Sequence, residues 1–401
     1  MIINKILLMV FASKSNIINS LVNLYTMKKH IIVTFFIISS ILFYSSCQSK
    51  EKPIKTNDVS IFDKTDTYVE KMMDSLDIIG LNYAILIDGK VVHKGTKGLA
   101  NIEHNVPMKP DHLFAVASLS KLFSSTALHS LLISNNRNVN ETVGDFLPNR
   151  FDLPESWRAL TLKHLLSHTS GIPDQIDYDI FLAPESESFV IDALKDKPFS
   201  SEPDETNKYN ATGFMLVCTV IEALANQDFE TYMKRNYFDK YGLSKANYGG
   251  FKKVVPNRVT SYRMVENNLE LFPLNYSSPM YAGAGLNINI DELILWMQAV
   301  LNYEILPKPY LDNVWEPVKL NSGDTGYFGL GWEAYKFDDK IAINGHAGGG
   351  IVSLLHYRTA DYPNGLTIIL LTNGAKNWVQ MPHDVNMGIA SYFIPEILDF
   401  D

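Results

Sequence analysis

A serine and a lysine three residues apart, Ser118 and Lys121, stand at the head of an apolar run, Leu122 to Leu132. On a helix the two share a face, with Cβ atoms about 5–6 Å apart. A lysine amine kept neutral by burial can take the proton of a hydroxyl at that distance, so the pair supplies a nucleophile and its base together. The same spacing recurs at Ser49 and Lys52, in a polar stretch without apolar periodicity. A lysine there stays solvated and keeps its proton to about pH 10.4. Read alone, Ser118 is equally a serine favoured near a helix start, where its hydroxyl caps a backbone N–H.

The elements that must position this pair follow from periodicity and turn chemistry. Asp63 to Leu76 reads as an amphipathic helix with Tyr68, Met72 and Leu76 on one face. Asn82 to Ile87 and Lys90 to Gly95 read as strands joined by Asp88-Gly89, a hairpin signal because a type I′ turn needs positive φ at both central residues. The Ser118 helix follows. Residues 130–275 are helical and loop-rich, with a short helix at Thr161–His168 that ends at Thr169-Ser170-Gly171-Ile172-Pro173. Further helices are expected at Ala211–Ala225, Phe229–Tyr241 and Ile290–Leu301. The chain then returns to strands at Tyr327–Tyr335, Lys340–Asn344, Ile351–Arg358 and Leu366–Thr372, with a turn at Asn364-Gly365 and a closing helix from Met387 to Leu398 broken by Pro395. Strands at both ends with helices between imply one sheet completed by the N- and C-terminal segments, and a helical subdomain inserted into it.

Two further strings bear on chemistry. Tyr209 stands at the entrance of the Ala211 helix, where a tyrosine is usually packing. His346-Ala347-Gly348-Gly349-Gly350 sits among the late strands, and glycines beside a histidine let a backbone approach a ligand and present N–H groups.

In order and spacing these strings resemble the serine β-lactamase-like family, which includes class C β-lactamases, D-alanyl-D-alanine carboxypeptidases and related esterases. The resemblance covers most of residues 63–398. Ser118-Leu119-Ser120-Lys121 matches the Ser-x-x-Lys of the family, Tyr209 the Tyr of its Tyr-x-Asn, and His346-Ala347-Gly348 its Lys/His-x-Gly strand. Leu162 to Pro173 matches a long family signature more specific than any triplet. Gly283-Ala284-Gly285-Leu286 and Gly329-Leu330-Gly331-Trp332 fall where the family has similar glycines.

The resemblance implies an α/β (α+β) fold of β-lactamase/transpeptidase type: an antiparallel sheet from the two chain ends, flanked by helices, with a mostly helical insertion at about 130–275. It implies that Ser118 attacks a carbonyl and becomes acylated, that Lys121 accepts or relays the proton, and that Tyr209 exchanges a proton with the serine or leaving group and later helps activate water. His346 lines the site. Backbone N–H groups of Ser118 and Gly349, beside Gly348, form the oxyanion hole, worth about 3–4 kcal/mol per donor lost. No cofactor is implied.

The sequence departs from the family at two places. Ala211 stands where the family has the asparagine that reads a substrate amide, and losing one such hydrogen bond costs about 1–3 kcal/mol of recognition. This weakens the case for a β-lactamase or peptidase acting on acylamido substrates. His346 replaces the lysine typical of class C β-lactamases. A histidine near its ordinary pKa of about 6.5 is expected to lose its hold on carboxylate-bearing substrates between about pH 6 and 8. The expected activity is therefore that of an exported serine hydrolase acting on an ester, a small amide, or a D-amino-acid or cell-wall peptide, with carboxypeptidase or esterase type favoured. The alternatives are a β-lactamase proper, or a non-catalytic binding or sensing lipoprotein of the same fold.

Other residues carry less. His164 and His168 lie four apart, as zinc ligands can, but no glutamate follows His164 and no third ligand is evident, so no metal site is assigned. Trp332 and Tyr327 suit a pocket wall or a core equally. Cys218, inside Phe214 to Cys218, reads as a small buried hydrophobe.

The 401 residues carry a net charge of −9. Residues 1–46 hold four lysines and no acid, so the remainder has 31 basic against 44 acidic residues, a net −13, which argues against nucleic acid as a partner. The leader itself has a charged start at Met27-Lys28-Lys29, an apolar run Ile31 to Tyr44, and Ser45-Ser46-Cys47. The run is short for a membrane span, and the arrangement is that of an export signal. The small-small-Cys ending resembles a bacterial lipoprotein signal, in which Cys47 is lipidated; an uncleaved anchor and an ordinary signal peptide are the alternatives. The expected organisation is a leader at 1–46, a tether at 47–62 and a hydrolase domain at 63–401. The location is periplasmic or cell-envelope, with membrane contact through the lipid, and translation starts at Met1 or Met27. The expected partner is a small-molecule or peptide substrate; no oligomeric state is assigned.

Overall fold

Ser60, the first described residue, caps a helix. Its hydroxyl accepts from the Asp63 N–H while the Asp63 carboxylate accepts from the Ser60 N–H, a reciprocal box that begins the Ile61–Leu76 helix two residues earlier than periodicity places it. The computed structural model describes residues 60–398 except 149, 151, 179–182, 338 and 376–380. The expected leader, the tether up to residue 59, Cys47 and Ser49 lie outside the described residues.

A seven-stranded antiparallel sheet runs in the order Val106–Pro107, Lys90–Asn101, Gly80–Ile87, Leu366–Thr372, Val352–Arg358, Ile341–Gly348, Glu333–Phe337. The first and last segments of the chain meet at its centre, where Leu81 lies opposite Thr372 and Ile87 opposite Leu366. Asp88 and Gly89 take left-handed φ of 51° and 72°, as the type I′ turn of the first hairpin demands. The central strands are buried on both faces, which is why Leu366 to Thr372 reads as an unbroken apolar run. Alternate residues divide between two cores. Leu366, Ile368 and Leu370 pack with Val69 of the first helix and with Val385 and Ile389 of the Met381–Ala390 helix. Ile369 and Leu371 face the larger core of the helical region, with Leu122, Phe123 and Phe214.

The described chain differs from the sequence expectation in four elements. Residues 329–332 form a turn closed by the Gly329 N–H on the Trp332 carbonyl, so the first late strand covers Glu333–Phe337 rather than Tyr327–Tyr335. The final helix is Met381–Ala390, followed by a short turn at Pro395–Leu398, because Pro395 offers no N–H to continue a helix. The helix expected at Phe229–Tyr241 is interrupted by a π segment at Lys234–Phe238. The middle region also carries a hairpin, Tyr262–Val265 with Asn268–Leu271, that its polar sequence did not announce. No helix of the described residues is long and apolar enough to cross a membrane.

Candidate active site

Ser118 lies in a 3₁₀ turn, Ala117–Leu119, that leads into the Ser120–Ser134 helix. Ala117 holds a left-handed φ of 45°, a conformation that costs a non-glycine residue about 1–3 kcal/mol and lifts the next side chain out of the helix line. Ser118 is accordingly half-buried while its neighbours Ala117 and Leu119 are fully enclosed. Ser120 pins the turn: its hydroxyl donates to the Ala117 carbonyl at 2.6 Å and accepts the Leu286 N–H at 3.2 Å.

Lys121, 3 % exposed, donates from Nζ to the Gly283 carbonyl at 2.8 Å. Among the described residues no carboxylate lies within ion-pairing reach of its ammonium, and burial pushes its pKa down to about 7, against a partial upward pull from Asp174. The amine also lies 4.9 Å from the centre of the Tyr209 ring and 5.1 Å from that of Phe214. The Gly283 position flagged by the sequence thus has a defined part. A Cβ there would stand 3.2 Å from Phe214 and 3.6 Å from Nζ, so glycine lets this carbonyl reach the lysine.

Tyr209 presents a buried hydroxyl with no hydrogen bond of ordinary geometry. Burial pushes its pKa well up, and the neighbouring Ser118 hydroxyl pulls it part of the way back. The two hydroxyls are therefore adjacent and poised rather than bonded, a separation of the kind that tightens in substrate complexes. His168, from the long signature, clamps this tyrosine: its carbonyl accepts the Lys208 N–H at 2.9 Å and its Nδ1 accepts the Asn210 N–H at 3.1 Å. The His168 ring lies 4.4 Å from that of Tyr209. His164 instead caps its own helix and sits 3.5 Å from Asp204. The two histidines thus have separate structural tasks.

Asn210 is the N-cap of the Ala211–Ala225 helix, accepting the Gly213 N–H at 2.8 Å and donating to the Ile172 carbonyl at 2.8 Å. Both ends of its amide are committed, so it does not replace the amide-reading asparagine absent at Ala211. Asp174, which sequence reasoning missed, accepts the Ala211 N–H at 3.2 Å and places a buried carboxyl near Lys121. Its signal was position, directly after Ile172-Pro173.

The Ile341–Gly348 strand closes the site. A Cβ on Gly348 would stand 2.0 Å from the Val116 carbonyl, so only glycine lets this strand lie against the nucleophile turn. Gly349 follows at φ 55°, with Ala117 Cβ 3.1 Å from its own Cβ position. His346 is buried beside Tyr209, their rings 5.9 Å apart. Its surroundings overturn the pH 6–8 window expected from the free amino acid. Burial lowers its pKa to about 4, and the nearby Glu333 only partly offsets this. The ring is neutral across the whole of that window and is no cationic anchor there.

Glu333 was also missed. It is a buried acid in an apolar strand, ionised because His346 and His383 hold its pKa down to about 2 against burial. The lone acid after Trp332 was its available signal. Trp332 itself is core, stacked with Trp296 at 5.9 Å, and Tyr327 is half exposed with its hydroxyl on the Asn207 carbonyl. Cys218 is buried, as read. The structure therefore brings together Ser118, Lys121, Tyr209, His346, Gly348 and Gly349.

Comparison with known proteins places the chain as a whole. A family model described as Beta-lactamase matches residues 65–386. The chain is 26 % identical over 306 residues to penicillin-binding protein 4* of Bacillus subtilis (strain 168), covering 71 % of this chain and 66 % of that protein. It is 23 % identical over 275 residues to a D-aminopeptidase of Gluconobacter oxydans (strain 621H), covering 66 % of this chain and 50 % of that one. The chain thus spans two thirds or less of the length of these two relatives. Among solved structures, the octameric penicillin-binding protein homologue from Pyrococcus abyssi superposes with a TM-score of 0.69 at 20 % identity, over 83 % of this chain and 77 % of that one.

Proposed function

The chain belongs to the beta-lactamase family of serine hydrolases, and from that premise we propose that it cleaves an ester, a small amide or a D-amino-acid or cell-wall peptide through an acyl-serine intermediate. The observation that carries this reading is the buried Lys121, held near pKa 7, three residues from a half-exposed serine and over the Tyr209 ring. Neutral Lys121 takes the Ser118 proton as Oγ bonds to the substrate carbonyl carbon. The carbonyl π electrons move onto oxygen, where the Ser118 and Gly349 N–H groups receive the negative charge. On collapse the bond to the leaving group breaks, and that group departs with a proton relayed through Lys121 and Tyr209. Water, deprotonated by the same pair, then releases the acid and returns the proton to Ser118. Lys121 and Tyr209 titrate as one coupled unit.

A fluorophosphonate probe is expected to label the 63–401 region, and to lose that label in Ser118→Ala. Failure of the wild type to label would leave the non-catalytic binding module, the reading that Ala211 favours. A fluorescent penicillin held stably on Ser118 would instead indicate penicillin-binding character, and its rapid release a β-lactamase. The same reading places the protein at the cell envelope, exported and lipid-anchored through Cys47, supported by the charged start, apolar run and Ser45-Ser46-Cys47 of the leader. Metabolic labelling with a palmitate analogue is expected in cells and is expected to vanish in Cys47→Ser; unchanged labelling would remove the anchor from the proposal.

A further inference from the structure

Behind His346 runs a chain of hydrogen bonds whose direction is fixed at its far end. The Asn386 side-chain nitrogen donates to the Ile368 carbonyl of the sheet at 3.0 Å, and its Oδ1 accepts from the Tyr357 hydroxyl at 2.7 Å, which settles which end of the amide is which. That nitrogen also donates to Ser353 Oγ at 3.0 Å. Ser353, 2.8 Å from His383 Nδ1, has its own proton to give there. His383 Nε2 lies 2.8 Å from Glu333 Oε2, a carboxylate oxygen that can only accept, so Nε2 donates its proton there. The Glu333 carboxylate further accepts from the Tyr335 hydroxyl at 3.3 Å and the Ala347 N–H at 3.3 Å.

The last partner is His346. Its Nδ1 faces two acceptors, Glu333 Oε1 at 3.5 Å and the Ala347 carbonyl. An acceptor pair demands a proton on Nδ1, so Nε2 is left with a lone pair. That Nε2 is buried and has no hydrogen-bond partner, and the equally unpartnered Tyr209 hydroxyl belongs to the neighbouring ring. A buried acceptor without a donor costs about 1–3 kcal/mol until something supplies one.

We propose that Glu333 is a specificity-determining residue: it fixes His346 as a hydrogen-bond acceptor and thereby tunes the site to substrates whose leaving half ends in an uncharged N–H donor, such as a primary carboxamide, in preference to a carboxylate. Two effects act in the same direction. A carboxamide gives the Nε2 lone pair its missing donor. A carboxylate offers only lone pairs to a lone pair, and would stand across the ring from a second carboxyl, that of Glu333. This narrows the proposed function above, on which it rests, away from carboxypeptidase action.

A matched pair of thioesters tests it: one acyl group on thioglycolic acid, the same acyl group on thioglycolamide, thiol release followed with a chromogenic thiol reagent. The leaving atom is sulfur in both, and only the distal group changes. The wild-type full chain is expected to show kcat/KM at least about tenfold higher for the amide, with the difference carried mainly by KM. Glu333→Gln should bring the ratio to within a few fold of one, and Glu333→Gln with His346→Lys should turn it in favour of the acid. A wild-type ratio at or below one overturns the proposal, and this outcome does not depend on any variant folding. A ratio unchanged in a folded Glu333→Gln overturns the role of Glu333. Release of neither thiol, with no fluorophosphonate label on Ser118, overturns the hydrolase reading itself and this inference with it.

Discussion

Replacing Ser118 by alanine should lower ester turnover by a factor on the order of 10⁴ or more while leaving the fold intact. Removing the nucleophile of an acyl-transfer site leaves only the binding and oxyanion contributions, which account for the residual rate in comparable enzymes. The structure makes the stability half of this prediction unusually clean. Ser118 is half exposed, and no hydrogen bond of ordinary geometry depends on its hydroxyl; the turn is held by Ser120. The melting temperature should therefore move by no more than about 2 °C. Turnover is measured with a chromogenic ester, and intact mass after rapid quenching should show the acyl adduct in the wild type and none in the variant. Retained turnover would move the nucleophile elsewhere in the chain.

Lys121→Met should have two consequences of opposite sign. Activity should fall by a factor of about 10³, because the amine proposed to take the Ser118 proton is gone. Stability should rise. The folded protein binds the Lys121 proton with a pKa of about 7, whereas the unfolded chain binds it near the ordinary value of 10.5. Between those values the unfolded state holds more protons, so stability attributable to this residue increases with pH through that window. Below pH 7 the cost of burying the ammonium is present in full. The variant should accordingly gain about 2–4 kcal/mol at pH 6 and progressively less toward pH 10, by urea denaturation. In the wild type, kcat/KM should climb with pH through a limb centred near 7 as the amine becomes free. A variant less stable at pH 6 than at pH 9 relative to wild type would contradict the burial argument.

How much of this was readable beforehand depended on whether a feature is local. Ser118, Lys121, Tyr209 and the His346 glycine strand sit in short strings whose order along the chain is itself the pattern, and the structure brings all of them to one place. The sheet was readable for a similar reason: Asp88-Gly89 and the alternation of the last strands are local signals. Glu333 and Asp174 gain their meaning from what packs around them, His383 from a helix on the far face in one case and the Ala211 N–H in the other. No spacing announces such partners. The left-handed φ of Ala117 was equally hidden, since an alanine, unlike a glycine or asparagine, does not signal it. The pH behaviour of His346 was misjudged because a free-residue pKa was applied to a ring with 3 % exposure.

The meeting of Leu81 with Thr372 at the middle of the sheet has a consequence for how the molecule is made. As the chain leaves the ribosome, the hairpin formed by Gly80–Asn101 emerges first and has no central neighbour to pair with. The helical region that follows can collapse on Leu122, Phe123 and Phe214 while Ile85 and Tyr83 still await the strands that cover them. Only when Leu366–Thr372 has been synthesised does the sheet close. Closure of the sheet is thus held back until that strand has emerged, with slow, non-local pairing and an open strand edge in the interval. A polypeptide cut short before that strand would be a sticky fragment, with the inner edges of Gly80–Ile87 and Val352–Arg358 left unpaired.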